Sequence, residues 1–399
     1  MTSLIALRAA RIFDGTGSPL SDDAIVVLDG DRIASVGGPI PDGATVVDLP
    51  GATLLPGLVD THMHLAFDAS ADPVARLAER DAAETFTAMG AAARRAARGG
   101  VTTVRDLGDV GYLSLGVRDA ARSDHTLPQI VAAGVPITTP GGHCHFLGES
   151  AAGVDGVRAA VRARHHRGVD VIKVMASGGN MTPGSRPELA QYTLEELRAI
   201  VEEAHGLGLP VTAHAHGTQA IVDAVAAGVD SLEHVSFMTA DSVDDIPDGL
   251  LEEIVARGVA LSLTLGMRLV EGASMPPGML IRRPRLMANG ARMCASGARI
   301  VVGTDAGIAP LKPHDVLRTS LVQLAQIGMK PAEALHAITG RAAEVIGLGD
   351  RKGRLAPGYD ADVLVVDGDP LTDPEAIHRI RAVYVRGTAL KSAAPVGEL

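Results

Sequence analysis

At 399 residues, 46% of them apolar, the chain is too long for one small domain and can bury a sizeable core. Tryptophan is absent and aromatics make up 2%, so the core must be Ala, Val, Leu and Ile, and the composition argues against a base-stacking surface for single-stranded nucleic acid. A net charge of −11 argues against a phosphate-backbone partner.

The two cysteines, Cys144 and Cys294, form no CxxC pair and imply no disulfide framework. The first residues lack a basic segment followed by a long apolar core and cleavage site. No uninterrupted apolar run reaches about 18 residues. The expectation is a cytoplasmic homo-oligomer that takes a small-molecule substrate and has no nucleic-acid or membrane partner.

Residues 1–50 are predicted to form short strands. Runs at 24–28 and 32–36 flank Asp29-Gly30-Asp31, a hairpin signal. Residues 361–368 and 382–387 look similar. Both chain ends are therefore predicted to join in one small β-sandwich domain, residues 1–55 and 353–399. This domain would flank a central unit of 56–352.

In the central unit an apolar run at 54–64 is the first predicted strand, broken by Pro56-Gly57 where the chain enters the unit. An Ala/Arg/Glu-rich helix follows at 75–98. Strands are predicted at 101–106, 129–133, 169–175, 210–213, 229–232, 259–265 and 299–304. Helices are predicted at 154–167, 193–205, 219–227, 250–256, 284–295 and 314–326. Thr193 is the N-cap of its helix, and Glu196 completes a capping box. Eight strands, most separated by helices, imply right-handed βαβ crossovers and a parallel sheet. The predicted fold is α/β, a (β/α)8 TIM-type barrel. A doubly wound open sheet is the alternative, without a Gly-x-Gly-x-x-Gly to support a dinucleotide site.

Barrel chemistry collects at the carboxyl ends of the strands. His62 and His64 stand two apart on a strand, so both project to one face and can grip one metal ion. Later strand ends carry His214-Ala215-His216, Glu233-His234 and Thr304-Asp305-Ala306-Gly307. Lys173 interrupts the apolar strand Val171-Ile172-Lys173-Val174-Met175. A buried ammonium is costly. Either a carboxylate pairs with it, or carbon dioxide converts it to a carbamate whose two oxygens bridge two metal ions. The surrounding histidines favour the carbamate. Zinc or a similar divalent ion suits imidazole and carboxylate ligands. Metal binding lowers the pKa of water, and Asp305 is then the general base or proton shuttle rather than a turn-forming residue.

In this order, these motifs resemble the amidohydrolase superfamily, close to its imidazolonepropionase-like and prolidase-like metal-dependent hydrolases. Gly57-Leu58-Val59-Asp60-Thr61-His62-Met63-His64 resembles the family's strand-1 signature, and Ile172-Lys173-Val174-Met175 its carboxylated-lysine strand. Ala213-His214-Ala215-His216-Gly217, Leu232-Glu233-His234 and Gly303-Thr304-Asp305-Ala306-Gly307 resemble strands 5, 6 and 8. The segment 353–363 resembles the return to the β-domain. The resemblance implies two divalent metal ions. His62, His64 and Asp305 would hold the more buried ion and His214 and His234 the second, with carboxylated Lys173 as the bridging ligand.

The substrate pocket carries less signal. His143, in Gly141-Gly142-His143-Cys144-His145, is by resemblance a candidate to polarise the scissile carbonyl or hold a substrate carboxylate. A solvated loop histidine is the alternative. His216, Arg105, Tyr192 and His314 are further candidates for substrate contact. The long loop 266–283 after strand 7 suits a lid. Arg282, Arg283 and Arg285 read as a solvated basic face, and Met267, Met275, Met279, Met287 and Met293 as packing residues.

The reaction expected is hydrolysis of an amide-type C–N bond, in a dipeptide or N-acyl amino acid, by a metal-bridging hydroxide. Asp305 would serve as proton shuttle and His143 as an oxyanion partner. Ring opening of a cyclic amide or imidazolone is the alternative. A deaminase fits less well, because Gly217 and Thr218 occupy the neighbourhood where an acidic residue would stand. A non-enzymatic scaffold on the same fold would have lost ligands, and none is missing.

Overall fold

The computed structural model describes residues 4–18, 21–268 and 277–390. The amino end forms β1 (Ile5–Ile12), β2 (Ser21–Asp29), β3 (Arg32–Val36) and β4 (Thr45–Pro56). β2 and β3 pair antiparallel across the predicted turn, where Gly30 takes φ of +57°. β1 pairs antiparallel with β2 and parallel with β4.

The run 54–64, predicted as one strand, is two strands in two sheets. β4 ends at Pro56 and β5 (Leu58–Met63) starts after Gly57. A Cβ on Gly57 would collide with the side chain of Thr102, so glycine lets the chain pass close to the next strand. Both strands are buried on both sides of the break, and periodicity has no means to show it.

Seven more strands follow: β6 (Val101–Asp106), β7 (Gln129–Ala132), β8 (Ile172–Met175), β9 (Val211–Gly217), β10 (Ser231–Met238), β11 (Ala260–Leu263) and β12 (Arg299–Val302). They pair in parallel as a three-stranded sheet, β5-β6-β7, and a five-stranded sheet, β8 to β12. Hydrogen bonds join the sheets on both sides. Ile137 N donates to Lys173 O at 2.8 Å and Met175 N to Ile137 O at 2.9 Å. On the other side Asp305 N donates to His62 O at 2.7 Å and His64 N to Ala306 O at 3.0 Å.

Helices separate the strands and bury their apolar faces on them, as at Ala82–Arg98, Val154–Arg167, Leu194–Gly206 and Thr218–Ala227. The helix predicted at 75–98 is broken into Pro73–Ala78 and Ala82–Arg98. Asp81 starts the second piece: its Oδ1 accepts from Glu84 N at 2.8 Å, and Asp81 N donates to Glu84 Oε2 at 3.0 Å. The Thr193–Glu196 box forms as predicted. Pro284 lies inside the helix Pro277–Ala295 rather than at its start. β9 and β10 run past their predicted ends at 213 and 232, because their histidine-rich ends break the apolar run without breaking the strand.

The carboxyl end adds β13 (Val363–Asp367), β14 (Ile380–Val385) and β15 (Thr388–Leu390). β13 pairs antiparallel with β4, from Val363↔Pro56 to Asp367↔Ala52. Both chain ends thus share one seven-stranded sheet, ordered β15-β14-β13-β4-β1-β2-β3. Leu7, Val26, Leu28, Leu54, Val363 and Val365 form its core. Arg386 pins this sheet to the parallel strands' helices, its Nη2 donating to Ala121 O at 2.7 Å. No helix among the described residues is long and apolar enough to cross a membrane.

Candidate metal centre

His62 and His64 leave β5 on one face, and Asp305 comes from the turn after β12. His62 Nε2 lies 3.2 Å from His64 Nε2 and 3.5 Å from Asp305 Oδ1, and His64 Nε2 lies 3.2 Å from the same oxygen. The outer nitrogens have other work. His64 Nδ1 faces Gly108 O at 3.1 Å, which places a proton on Nδ1 and turns Nε2 toward Asp305; burial opposes the charged ring, but Asp305 outweighs it and raises His64. His62 Nδ1 lies 3.0 Å from Glu233 Oε2, an ion-pair distance without the alignment of a hydrogen bond, so the carboxylate stands beside that nitrogen. Imidazoles oriented in this way by a carbonyl or carboxylate are typical of metal sites. A Cβ on Gly303 would collide with His62, so that glycine makes room for the ring.

Asp305 and His234 both take left-handed backbone, with φ of 59° and 74°. Each costs about 1–3 kcal/mol and persists because the surroundings hold it. Asp60 supplies part of that hold. Its Oδ1 accepts from His62 N at 3.1 Å and Thr304 N at 3.0 Å, and its Oδ2 from Thr304 Oγ1 at 2.6 Å. Sequence reasoning missed Asp60 and the use of Glu233 beneath His62. The signal available was a lone carboxylate in each of two buried strands.

His214 and His216 on β9 meet His234 on β10. Ring centroids lie 4.4 Å apart for His214 and His234, and 4.2 Å apart for His216 and His234. Each ring has one nitrogen engaged: His214 Nε2 with Gly178 O at 3.0 Å, His216 Nδ1 with Ser236 Oγ at 2.6 Å and His234 Nδ1 with Thr264 Oγ1 at 3.2 Å. Two donor groups result, His62/His64/Asp305 and His214/His216/His234, the donor atoms of each within 4.8 Å of one another. His216, expected only as a substrate contact, stands in the second group as closely as His214.

Lys173 is buried on β8, and its Nζ has no hydrogen-bond partner among the described residues. The carboxylate that would pair with it is engaged elsewhere: Glu233 Oε1 accepts from Arg105 Nη2 at 2.8 Å and Thr212 Oγ1 at 2.7 Å. Burial lowers the Lys173 amine to about 8. Burial, then the Lys173 charge, lowers His62 to about 4, and burial lowers His216 to about 4. His214 and His234 lie well below the usual range, chiefly through burial. These four rings are neutral, the form that ligates a metal. Burial opposes the ionised form of Asp305, but His62 and His64 outweigh it and hold the carboxyl well below the usual range. An unpartnered buried amine between neutral imidazoles and an ionised carboxylate fits a centre for divalent cations.

Both donor groups and Lys173 open on a cavity of about 860 Å³. Its wall is mostly apolar, with Phe67, Leu263, Leu286 and Ile308 beside Met175, Met181, Met238, Met267, Met279, Met287 and Met293. Met275 lies outside the described residues, as does much of the expected lid, 269–276. His143 and His216 line the cavity. The His143 ring lies 4.7 Å from that of His214, tilted by 37°, over Gly179, where a Cβ would collide with it.

Three expected substrate contacts lie elsewhere. Arg105 is buried beneath His62, bound to Thr61 O and Glu233. The Tyr192 hydroxyl donates to Ala151 O at 2.8 Å and ties down a loop. His314 Nε2 faces the backbone oxygen of His64 at 3.1 Å. None of the three lines the cavity. Of the arginines read as a basic face, Arg283 lines the cavity, while Arg282 and Arg285 donate to the carbonyls of Ala240 and Val243.

Parallel strands carrying a His-x-His pair, a buried lysine, further histidines and a closing aspartate define a hydrolase of the amidohydrolase type. The Amidohydrolase family profile matches residues 53–390, and the chain belongs to that family. It is an enzyme that hydrolyses carbon–nitrogen bonds. The chain is 31% identical to an ochratoxinase of Aspergillus niger, over 94% of this chain and 84% of that protein. It is 28% identical to an imidazolonepropionase of Streptomyces avermitilis, over 90% and 85%. A crystal structure of a Xaa-Pro dipeptidase with bound methionine superposes with a TM-score of 0.84 at 26% identity, covering 98% of this chain and all of that one.

Proposed function

We propose that this protein is a binuclear metal-dependent hydrolase that cleaves the amide C–N bond of a dipeptide or N-acyl amino acid. The observation that carries the reading is the pair of donor groups flanking an unpartnered buried lysine in one large apolar cavity. The hydrogen bonds joining the two parallel sheets on both sides support a closed (β/α)8 barrel over 56–352. The shared terminal sheet and its own core support a β-sandwich domain of 1–55 and 353–399.

On this reading His62, His64 and Asp305 hold one divalent ion, zinc by its ligand chemistry, and His214 and His234 a second. Lys173 would join these ligands as a carbamate, formed when its neutral nitrogen bonds the carbon of carbon dioxide and releases a proton to solvent. Bound ions of this kind polarise a carbonyl and lower the pKa of water. Asp305 takes the proton of the attacking water and delivers it to the leaving nitrogen. The buried Nδ1 of His143 has no partner among the described residues. His143 offers the substrate carbonyl oxygen a hydrogen bond, and His216 contacts the substrate beside it.

The cavity favours linear over cyclic amides. At about 860 Å³ and mostly apolar, it is near the upper end of small-molecule sites. A small polar ring would leave much apolar wall wetted, whereas an N-acyl amino acid or dipeptide with bulky side chains covers it. The similarity to an imidazolonepropionase keeps ring opening as the second reading.

The test is a screen of the zinc- or manganese-reconstituted protein against dipeptides, N-acyl amino acids and cyclic amides, with products followed by mass. Cleavage of linear amides bearing a free carboxylate is expected. Gain of water without fragmentation means ring opening instead. Silence across the library with two metals bound rejects the substrate class.

A further inference from the structure

The same cavity holds a second charged region that the proposed chemistry does not use. Asp315 receives three guanidinium groups: Arg95 Nε at 2.8 Å on Oδ1, and Arg268 Nη1 at 3.2 Å and Arg318 Nη2 at 3.4 Å on Oδ2. One carboxylate cannot neutralise three cations. Arg95 does not line the cavity, but Arg268, Arg318 and Asp315 do. Arg318 is 5% exposed. A cation so buried and only partly compensated is costly, and a ligand anion relieves it.

Among the described residues the neighbouring groups do not cancel the surplus. Glu375 lines the cavity nearby, but it is mostly exposed and lies 3.5 Å from His378 Nε2. Arg379 is paired with Asp373. Lys312 is another cation in the wall, with Nζ bound to Thr304 O at 2.7 Å and Thr264 O at 3.2 Å. Burial, and then Arg318, Arg268 and Arg379, lower His378 to about 4, which reports a positive field at that end. His378 is therefore a neutral donor or acceptor beside the arginines. Gln326 adds an amide to the same wall.

We infer that Arg318 and Arg268 form an anion subsite that takes a carboxylate of the ligand while the Met-rich wall takes its apolar part. The inference rests on the proposed amide-hydrolase reading only in calling that ligand the substrate. Its ligand class is amphipathic: one apolar body and one carboxylate. Arg318 presents a planar fork that matches a carboxylate better than an ammonium would.

Binding separates this subsite from catalysis. The probes are 4-phenylbutanoate and its neutral amide, 4-phenylbutanamide, titrated calorimetrically into wild-type, Arg318→Gln and Arg268→Gln protein, with and without metal. The wild type is expected to prefer the acid by about tenfold or more, in both metal states. Each variant is expected to lose that preference while binding the amide as before. A preference retained in both variants overturns the subsite. So does a preference that vanishes when metal is removed, since the anion would then sit on the metal. Equal loss of both probes also overturns it. Arg268 is partly exposed, so Arg268→Gln carries the test if melting shows that Arg318→Gln does not fold. No outcome depends on which amide is hydrolysed, so failure of the substrate screen and failure of the subsite are distinguishable.

Discussion

His62 on β5 and Glu233 on β10 face each other at 3.0 Å, imidazole Nδ1 to carboxylate Oε2, with both side chains fully buried. Burial would raise the Glu233 carboxyl, but Arg105 and His62 outweigh it and hold it well below the usual range. Glu233 is thus an ionised post beside His62 Nδ1, on the side of the ring away from His64 and Asp305. Glu233→Gln keeps the size and removes the charge. Metal affinity is expected to fall by about 10–100-fold. The fold should lose about 3–5 kcal/mol, because Arg105 is left buried without its counterion. Metal titration and denaturant unfolding read the two effects separately, and unaltered metal affinity would show that His62 needs no orienting carboxylate.

Asp305 is placed to move a proton as well as to hold a metal. Asp305→Asn keeps the shape and removes the basic oxygen. Turnover is expected to fall by about 10²–10⁴-fold or more, with an unchanged circular dichroism spectrum. Metal content measured on the same sample shows how much of the loss is ligation. Wild-type-like turnover would sink the shuttle.

Lys173→Ala removes the unpartnered amine. If the amine becomes the bridging carbamate, the variant should lose metal and activity together. Millimolar acetate or propionate should restore part of both by supplying a carboxylate in its place. Full metal occupancy in the variant without any added acid counts against the bridge.

Tyr192 tests the boundary of the site from outside. Its hydroxyl holds Ala151 O, and its ring is buried away from the cavity. Tyr192→Phe is expected to cost about 1 kcal/mol of stability and leave KM unchanged. A raised KM at unchanged stability would return Tyr192 to the substrate contacts.

The amino-acid sequence by itself determined the alternation of strands and helices, the Asp29-Gly30 turn, the Thr193–Glu196 cap and the pairing of the two chain ends. It also marked the residues that gather in the cavity: His62, His64, Lys173, His214, His234 and Asp305. Each is legible because its evidence is local. Strand period places i and i+2 on one face, and a polar residue closing an apolar run marks a strand's carboxyl end. Tertiary structure alone decided what surrounds them. Asp60 ties His62 to Thr304, Glu233 serves His62 rather than Lys173, and His216 joins the second donor group. Arg105, Tyr192 and His314 turn to backbone oxygens and do not line the cavity. These outcomes depend on partners brought together from distant strands, and on whether a buried polar atom finds one there. That contest is settled only when the sheets assemble.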